Sequence, residues 1–206
     1  MTPWNQDTSG DGSSRAAWIA VPSRDALPLE VTAEIGDVSE RIGFVPNVAR
    51  LLAILPRHFV GWWRYFDDLM RGPSDLTKTQ REMIAVVISA EAGCPYCTAA
   101  HAAALRLRTK DPALVDRLMS NYRHVEMNSR DRAMLDFAVK LTKTPDVCDE
   151  NDVMRLRDVG YSDEDILHMV EIIAIFNYNV RLATATGLFP NSEYHELGRL
   201  PKSALH

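Results

Sequence analysis

Two of the chain's three cysteines, Cys94 and Cys97, stand three residues apart; His101 follows the second by four, and Glu82 precedes the first by twelve. A thiol attacks as its thiolate, and a helix N-terminus favours that anion at both cysteines through free amides and the macrodipole. On a helix starting at Pro95, positions 94, 97 and 101 advance by three and then four and line one stripe. His101 then lies one turn from Cys97, where it can take the thiol proton as a neutral base or stabilise the thiolate as a cation. This spacing makes Cys97 the better nucleophile and Cys94 its resolving partner. A peroxide would convert Cys97 to a sulfenic acid, Cys94 would displace water from it to close a disulfide, and an external dithiol would reopen the pair.

The elements that must position these residues can be read around them. Thr77 and Gln80 form a capping-box pattern, so a helix begins near Lys78. Met83, Ile84, Val86, Val87 and Ile88 are apolar over too wide an arc for a surface helix, which predicts an element buried on most sides. Gly93 ends it, and Pro95 suits the first position of the next helix with Cys94 near its N-cap. If the two helices fold into a hairpin about Ala92-Gly93, Glu82 lies roughly 16 Å before the turn and His101 roughly 13 Å after it, at about 1.5 Å per residue. The two can be level, and the carboxylate can then orient the imidazole as the third member of a catalytic triad does. Competing readings stay open. Glu82 can be a helix-start charge and His101 a satisfied core histidine, or zinc can take Cys94, Cys97 and His101 with Cys148, His58 or His168 as fourth ligand.

The remainder reads as helical scaffold, an all-α fold with no convincing strand. Residues 1–14 are polar and lack periodicity, which predicts a disordered arm. One domain spans 15–190, and 191–206 forms a tail or a strap across a neighbour. Helices are expected over Glu30–Ile42, from a cap at Asn47 through Ile54, and over His58–Met70 with Pro56 in the first turn. Further helices are expected from Asp111-Pro112 to Met119, from a Ser129 cap to Thr142, over Asp149–Val159, and from a Ser162 cap to Thr186. The aromatics Phe59, Trp62, Trp63, Tyr65 and Phe66 suit core, subunit interface or pocket wall. Segments 77–101 and 162–187 echo one another, a possible two-lobed repeat whose second copy lacks the cysteines and the histidine.

Composition narrows the partners. The 206 residues, 46% of them hydrophobic, supply one core, and a net charge of -5 with interleaved signs gives no reason to expect nucleic acid or an anionic membrane. No run approaches the ~20 apolar residues of a membrane span. The first residues lack a secretory signal, so the expected location is cytoplasmic, where a C-x-x-C pair is catalytic or metal-binding more often than a staple. Small molecules and proteins are the expected partners, with no cofactor implied.

The pattern Glu82, eleven residues, Cys94-x-x-Cys97, three residues, His101 resembles the signature of the alkyl hydroperoxidase D-like branch of the carboxymuconolactone decarboxylase superfamily. The Gly-Phe-Val-Pro-Asn loop at 43–47, the Cys-Pro-Tyr-Cys form of the motif, and Phe176-Asn177 to Arg181 are similar to the group named peroxidase-related proteins. The resemblance implies an all-helical homo-oligomer and a peroxidase in which Cys97 attacks the peroxide, Cys94 resolves, and Glu82 and His101 relay protons. One departure is visible: the best-known pattern carries a histidine immediately before the second cysteine, where this chain has Tyr96. Elsewhere in the superfamily are lactone decarboxylases that do not depend on the cysteine pair. A helical oligomer that senses redox state through the pair is a third, non-enzymatic alternative.

Overall fold

The computed structural model describes residues 15–199. The arm expected at 1–14 lies outside the described residues, as does the end of the tail at 200–206. Ten α-helices follow one another without a strand among the described residues: α1 (Leu29–Ile42), α2 (Asn47–Leu52), α3 (Pro56–Arg71), α4 (Lys78–Glu91), α5 (Pro95–Thr109), α6 (Pro112–Asn121), α7 (Ser129–Lys143), α8 (Glu150–Asp158), α9 (Asp163–Thr186) and α10 (Glu193–Glu196).

α4 is the axis. Its residues from Arg81 to Ser89 are all buried, because α5, α6, α7 and α9 pack around it. Ile84, Val87 and Ile88 meet Leu135, Ile172 and Phe176 in the main core. The capping box forms as its sequence predicts, with the Gln80 amide donating to Thr77 Oγ1 and the Thr77 amide to Gln80 Oε1. Arg81, also buried, donates to the carbonyls of Leu69, Gly72 and Leu76 and ties the α3–α4 connection to the helix start. Burial pulls its guanidinium below the usual arginine range.

α9 corrects one expectation. Its 24 residues are long and apolar enough to cross a membrane by length and composition alone. Here its apolar positions serve the core: Ile166, Met169, Ile172, Ile173 and Phe176 are buried against α4 and α7.

Two other expectations are corrected at helix starts. Asn47 is not a cap, since Pro46 holds that position. Its side chain donates instead to the Phe189 carbonyl at 3.0 Å, and its amide donates to Asn191 Oδ1 at 2.8 Å. α7 is capped by Asn128, whose Oδ1 accepts from the Asp131 amide, and not by Ser129.

The described part of the C-terminal segment crosses its own chain. Asn191 donates back to the Val45 carbonyl, and buried Arg106 donates to the carbonyls of Tyr194 and Leu197. Arg199 forms a two-pronged pair with Asp116 at 3.1 Å per contact. These bonds hold Tyr194 in a small apolar cluster with Phe44, Tyr96 and both motif cysteines.

Candidate active site

α4 stops where the chain needs to turn back. Gly93 has φ +64°, a left-handed conformation that costs a residue bearing Cβ about 1–2 kcal/mol. The Cys94 amide closes on the Ser89 carbonyl at 3.0 Å. Cys94 is then the N-cap of α5, its Sγ accepting from the Cys97 amide at 3.4 Å, with Pro95 in the first turn. Both thiols are free and buried, Cys94 at 1% exposure and Cys97 at 5%.

The two sulfurs differ in what surrounds them. Cys97 lines a cavity of about 150 Å³, together with His101, Glu82 and Tyr96; Cys94 is not part of that lining. The thiol of Cys97, the amides of Cys97 and Tyr96, and the hydroxyl of Thr184 hold the Cys94 thiol down at about 6 against the opposing effect of burial. Sharing its proton with Cys94, together with burial and the Cys94 charge, pushes the Cys97 thiol up. The expectation that the helix start favours both thiolates is thereby corrected: the first sulfur collects the donors and the second supplies one. These donors favour the thiolate of Cys94 over that of Cys97.

His101 lies one turn beyond Cys97 on α5, and its Nδ1 is 2.8 Å from Glu82 Oε2 on α4. With the carboxylate as acceptor, Nδ1 is the donor and Nε2 is left free to accept a proton. The ring is held edge-on by Phe176 at 4.6 Å and Phe66 at 6.1 Å between centroids. Glu82 is 5% exposed, and Arg108 Nε stands 3.8 Å from its second oxygen. The four residues singled out by spacing are therefore brought together. Sequence singled out Phe176 only within the stretch that carries the family resemblance, and it did not single out Tyr194 or Thr184.

The aromatic run of α3 divides between roles. Trp62, Trp63 and Phe66 line the cavity, Phe59 is buried in the α1–α3 core, and Tyr65 faces out. Trp62 donates to Asn179 Oδ1 at 3.1 Å and stacks on Phe66. No three His, Cys, Asp or Glu residues among those described stand close enough to hold a metal ion. His168, one proposed zinc ligand, bonds instead to Ser74 and the Leu69 carbonyl.

The carboxymuconolactone decarboxylase family model matches residues 56–121, which span α3 to α6. A peroxidase-related protein from Ralstonia eutropha JMP134, described as an alkylhydroperoxidase AhpD core, is 40% identical over 91% of this chain and 99% of its own, with a TM-score of 0.87. A peroxidase-related protein from Silicibacter sp. TM1040 is 38% identical over 90% of this chain and 97% of its own, with a TM-score of 0.86. The chain belongs to the peroxidase-related, AhpD-like branch of the carboxymuconolactone decarboxylase superfamily. A debrominase, Bmp8, solved with 2,3,4-tribromopyrrole, shares the fold at 19% identity over 87% of this chain and 94% of its own, with a TM-score of 0.75. No curated protein matches the chain.

Within this AhpD-like fold, Tyr96 occupies the position where the best-known pattern has a histidine. It is buried, its hydroxyl accepting from the Val48 amide at 3.2 Å and lying 3.4 Å from the Tyr194 hydroxyl. Burial and the Tyr194 hydroxyl push Tyr96 well above the ordinary phenol range, and burial pushes Tyr194 up to about 12. Neither is a base near neutral pH, and the Glu82–His101 pair lies on the same cavity wall.

Proposed function

We propose that the chain is a thiol-dependent peroxidase that reduces organic or hydrogen peroxides. The observation that carries this reading is the 2.8 Å contact from His101 to Glu82 in the same cavity wall as Cys97. His101 Nε2 takes the Cys97 proton as the sulfur attacks the distal peroxide oxygen. The S–O bond forms, the O–O bond breaks, and the departing alkoxide takes the proton from His101 and leaves as alcohol. Cys94, as its thiolate, attacks the Cys97 sulfenic acid; the S–S bond forms, and hydroxide leaves with a proton as water. A dithiol supplies the two electrons that restore the pair.

The wider expectations are part of the same proposal. Free buried thiols suit a reducing compartment such as the cytoplasm. A homo-oligomer, as the family resemblance implies, belongs to the same reading. A two-lobed repeat is supported by the capping boxes at Thr77 and Ser162 and by the left-handed glycines, Gly93 and Gly187, that follow the two helices.

Stopped-flow peroxide consumption by the reduced protein tests the proposal against the Cys97→Ser variant. Fast consumption by the parent and none by the variant is expected; equal rates would overturn it. Lactone turnover that survives replacement of both cysteines by serine would favour a decarboxylase-type enzyme instead.

A further inference from the structure

The two sulfurs of the pair open to different sides of the molecule. Cys97 lines the aromatic cavity. Cys94 is 1% exposed, yet it shares an apolar cluster with Val180 and Ala183 of α9, next to Thr184, which is itself exposed. Thr184 belongs to a separate, open groove of about 530 Å³ between the ends of α4, α7 and α9. Ala92, in the turn just before Cys94, forms part of the same groove. Val180, which packs in the same cluster as Cys94, also lines this groove, whereas closely packed aromatics enclose Cys97.

The groove also carries a charge preference. Lys143 and Arg181 face it along with Glu91. Glu91 is already engaged by Lys143 and by Arg123 at 3.2 Å. Arg181 donates only to the carbonyl and side-chain oxygen of Asn177, one turn back, and no carboxylate pairs with it among the described residues. The groove therefore offers an uncompensated cation beside the access point to Cys94. Its size falls within the range of small-molecule clefts, about 300–1,000 Å³.

We propose that this groove receives a small anionic thiol that reduces the Cys94–Cys97 disulfide by attack at Cys94. The inference rests on the redox cycle proposed above. The incoming thiolate forms an S–S bond to Cys94 Sγ; the Cys94–Cys97 bond breaks, and its electron pair goes to Cys97, which takes a proton from His101. A second thiolate attacks the donor's sulfur, releasing Cys94 as its stabilised thiolate and the donor as a disulfide. Oxidant and reductant are thereby bound on opposite sides of one helix start. Arg181 selects the donor's charge, and Thr184 controls the approach.

The test uses full-length protein oxidised with diamide, so that no peroxide chemistry is involved, and follows reopening of the disulfide. Three monothiols serve as probes: anionic 2-mercaptoethanesulfonate, neutral 2-mercaptoethanol and cationic cysteamine. Rates are corrected to thiolate concentration. The parent is expected to favour the anion over the cation, and Arg181→Glu to lower that ratio about fivefold, the size an exposed ion pair supports. Thr184→Leu is expected to slow all three probes by a similar factor, leaving the anion-to-cation ratio at the parent value. Mass mapping of the trapped intermediate should place the thiol on Cys94. A thiol on Cys97, or a ratio that Arg181→Glu does not move, would overturn the inference and leave the peroxidase reading standing. A pair that diamide cannot close would overturn the disulfide cycle and this inference with it.

Discussion

Cys94 and Cys148 each precede a helix, α5 and α8, and their surroundings give them opposite chemistry. Cys94 is buried more deeply, yet donors from Cys97, Tyr96 and Thr184 hold it down at about 6. Cys148 is half-buried, and burial together with the carboxylates of Asp152, Asp149 and Asp146 raises it above the ordinary thiol range. Exposure alone would single out the wrong cysteine. What separates them is the count of donors and charges aimed at the sulfur, which a helix start supplies only when no acidic cap competes for it.

The contrast breaks most sharply by substitution. Cys97→Ser should lower the second-order rate with peroxide on the order of 10³-fold or more, while Cys148→Ser leaves it unchanged. A large loss from Cys148→Ser would erase the distinction. Next in size is His101→Gln, expected to cost on the order of 10²-fold in the same rate as the proton route is lost. Glu82→Gln keeps the shape but weakens a charge-assisted hydrogen bond by about 1.5 kcal/mol, about tenfold in rate.

Per pH unit, the smallest expected effect is in stability. In the unfolded chain both thiols titrate at their ordinary values; in the folded protein Cys94 is depressed to about 6 and Cys97 raised. Between pH 6 and 9 the folded pair holds fewer protons than the unfolded pair. The stability Cys94 contributes is therefore present above the unfolded value and is lost as pH falls toward 6. Above about 9 the raised Cys97 reverses the slope, because the unfolded pair then gives up its second proton. The reduced protein should thus grow more stable from pH 6 to 9, by at most about 1.4 kcal/mol per pH unit, and Cys94→Ser should flatten the curve. Denaturant melts at several pH values, with thiolate absorbance followed alongside, measure this; a curve unaffected by the substitution would contradict the assignment of the charge to Cys94.

Local chemistry was legible in the sequence wherever the deciding contacts were local. The Thr77–Gln80 box, the Gly93 stop, the Cys94 cap and the one-turn step to His101 are all set within a few residues. Glu82 was reachable because a tight turn fixes distances on both of its arms. What escaped was settled across the chain. Asn47 has the composition of a cap, but its bonds run to Phe189 and Asn191, more than 140 positions away. Tyr194 carries no periodic signal, since it sits in a four-residue helix held by Arg106. The asymmetry between the thiols also escaped, because spacing shows that two sulfurs can share a proton and not which of them keeps it. That α9 is long and apolar enough for a membrane span also escaped, and α4 and α7 cover much of it in the fold.

The strap through Asn191 and Tyr194 has a consequence for the order in which the protein is made. Tyr194 forms part of the cavity wall next to Tyr96, and synthesis delivers it after every other residue of that wall. A chain made only as far as α5 can form α4 and α5, thiols included, but not the finished chamber around Cys97. The thiol pair is therefore made before the wall around it can close.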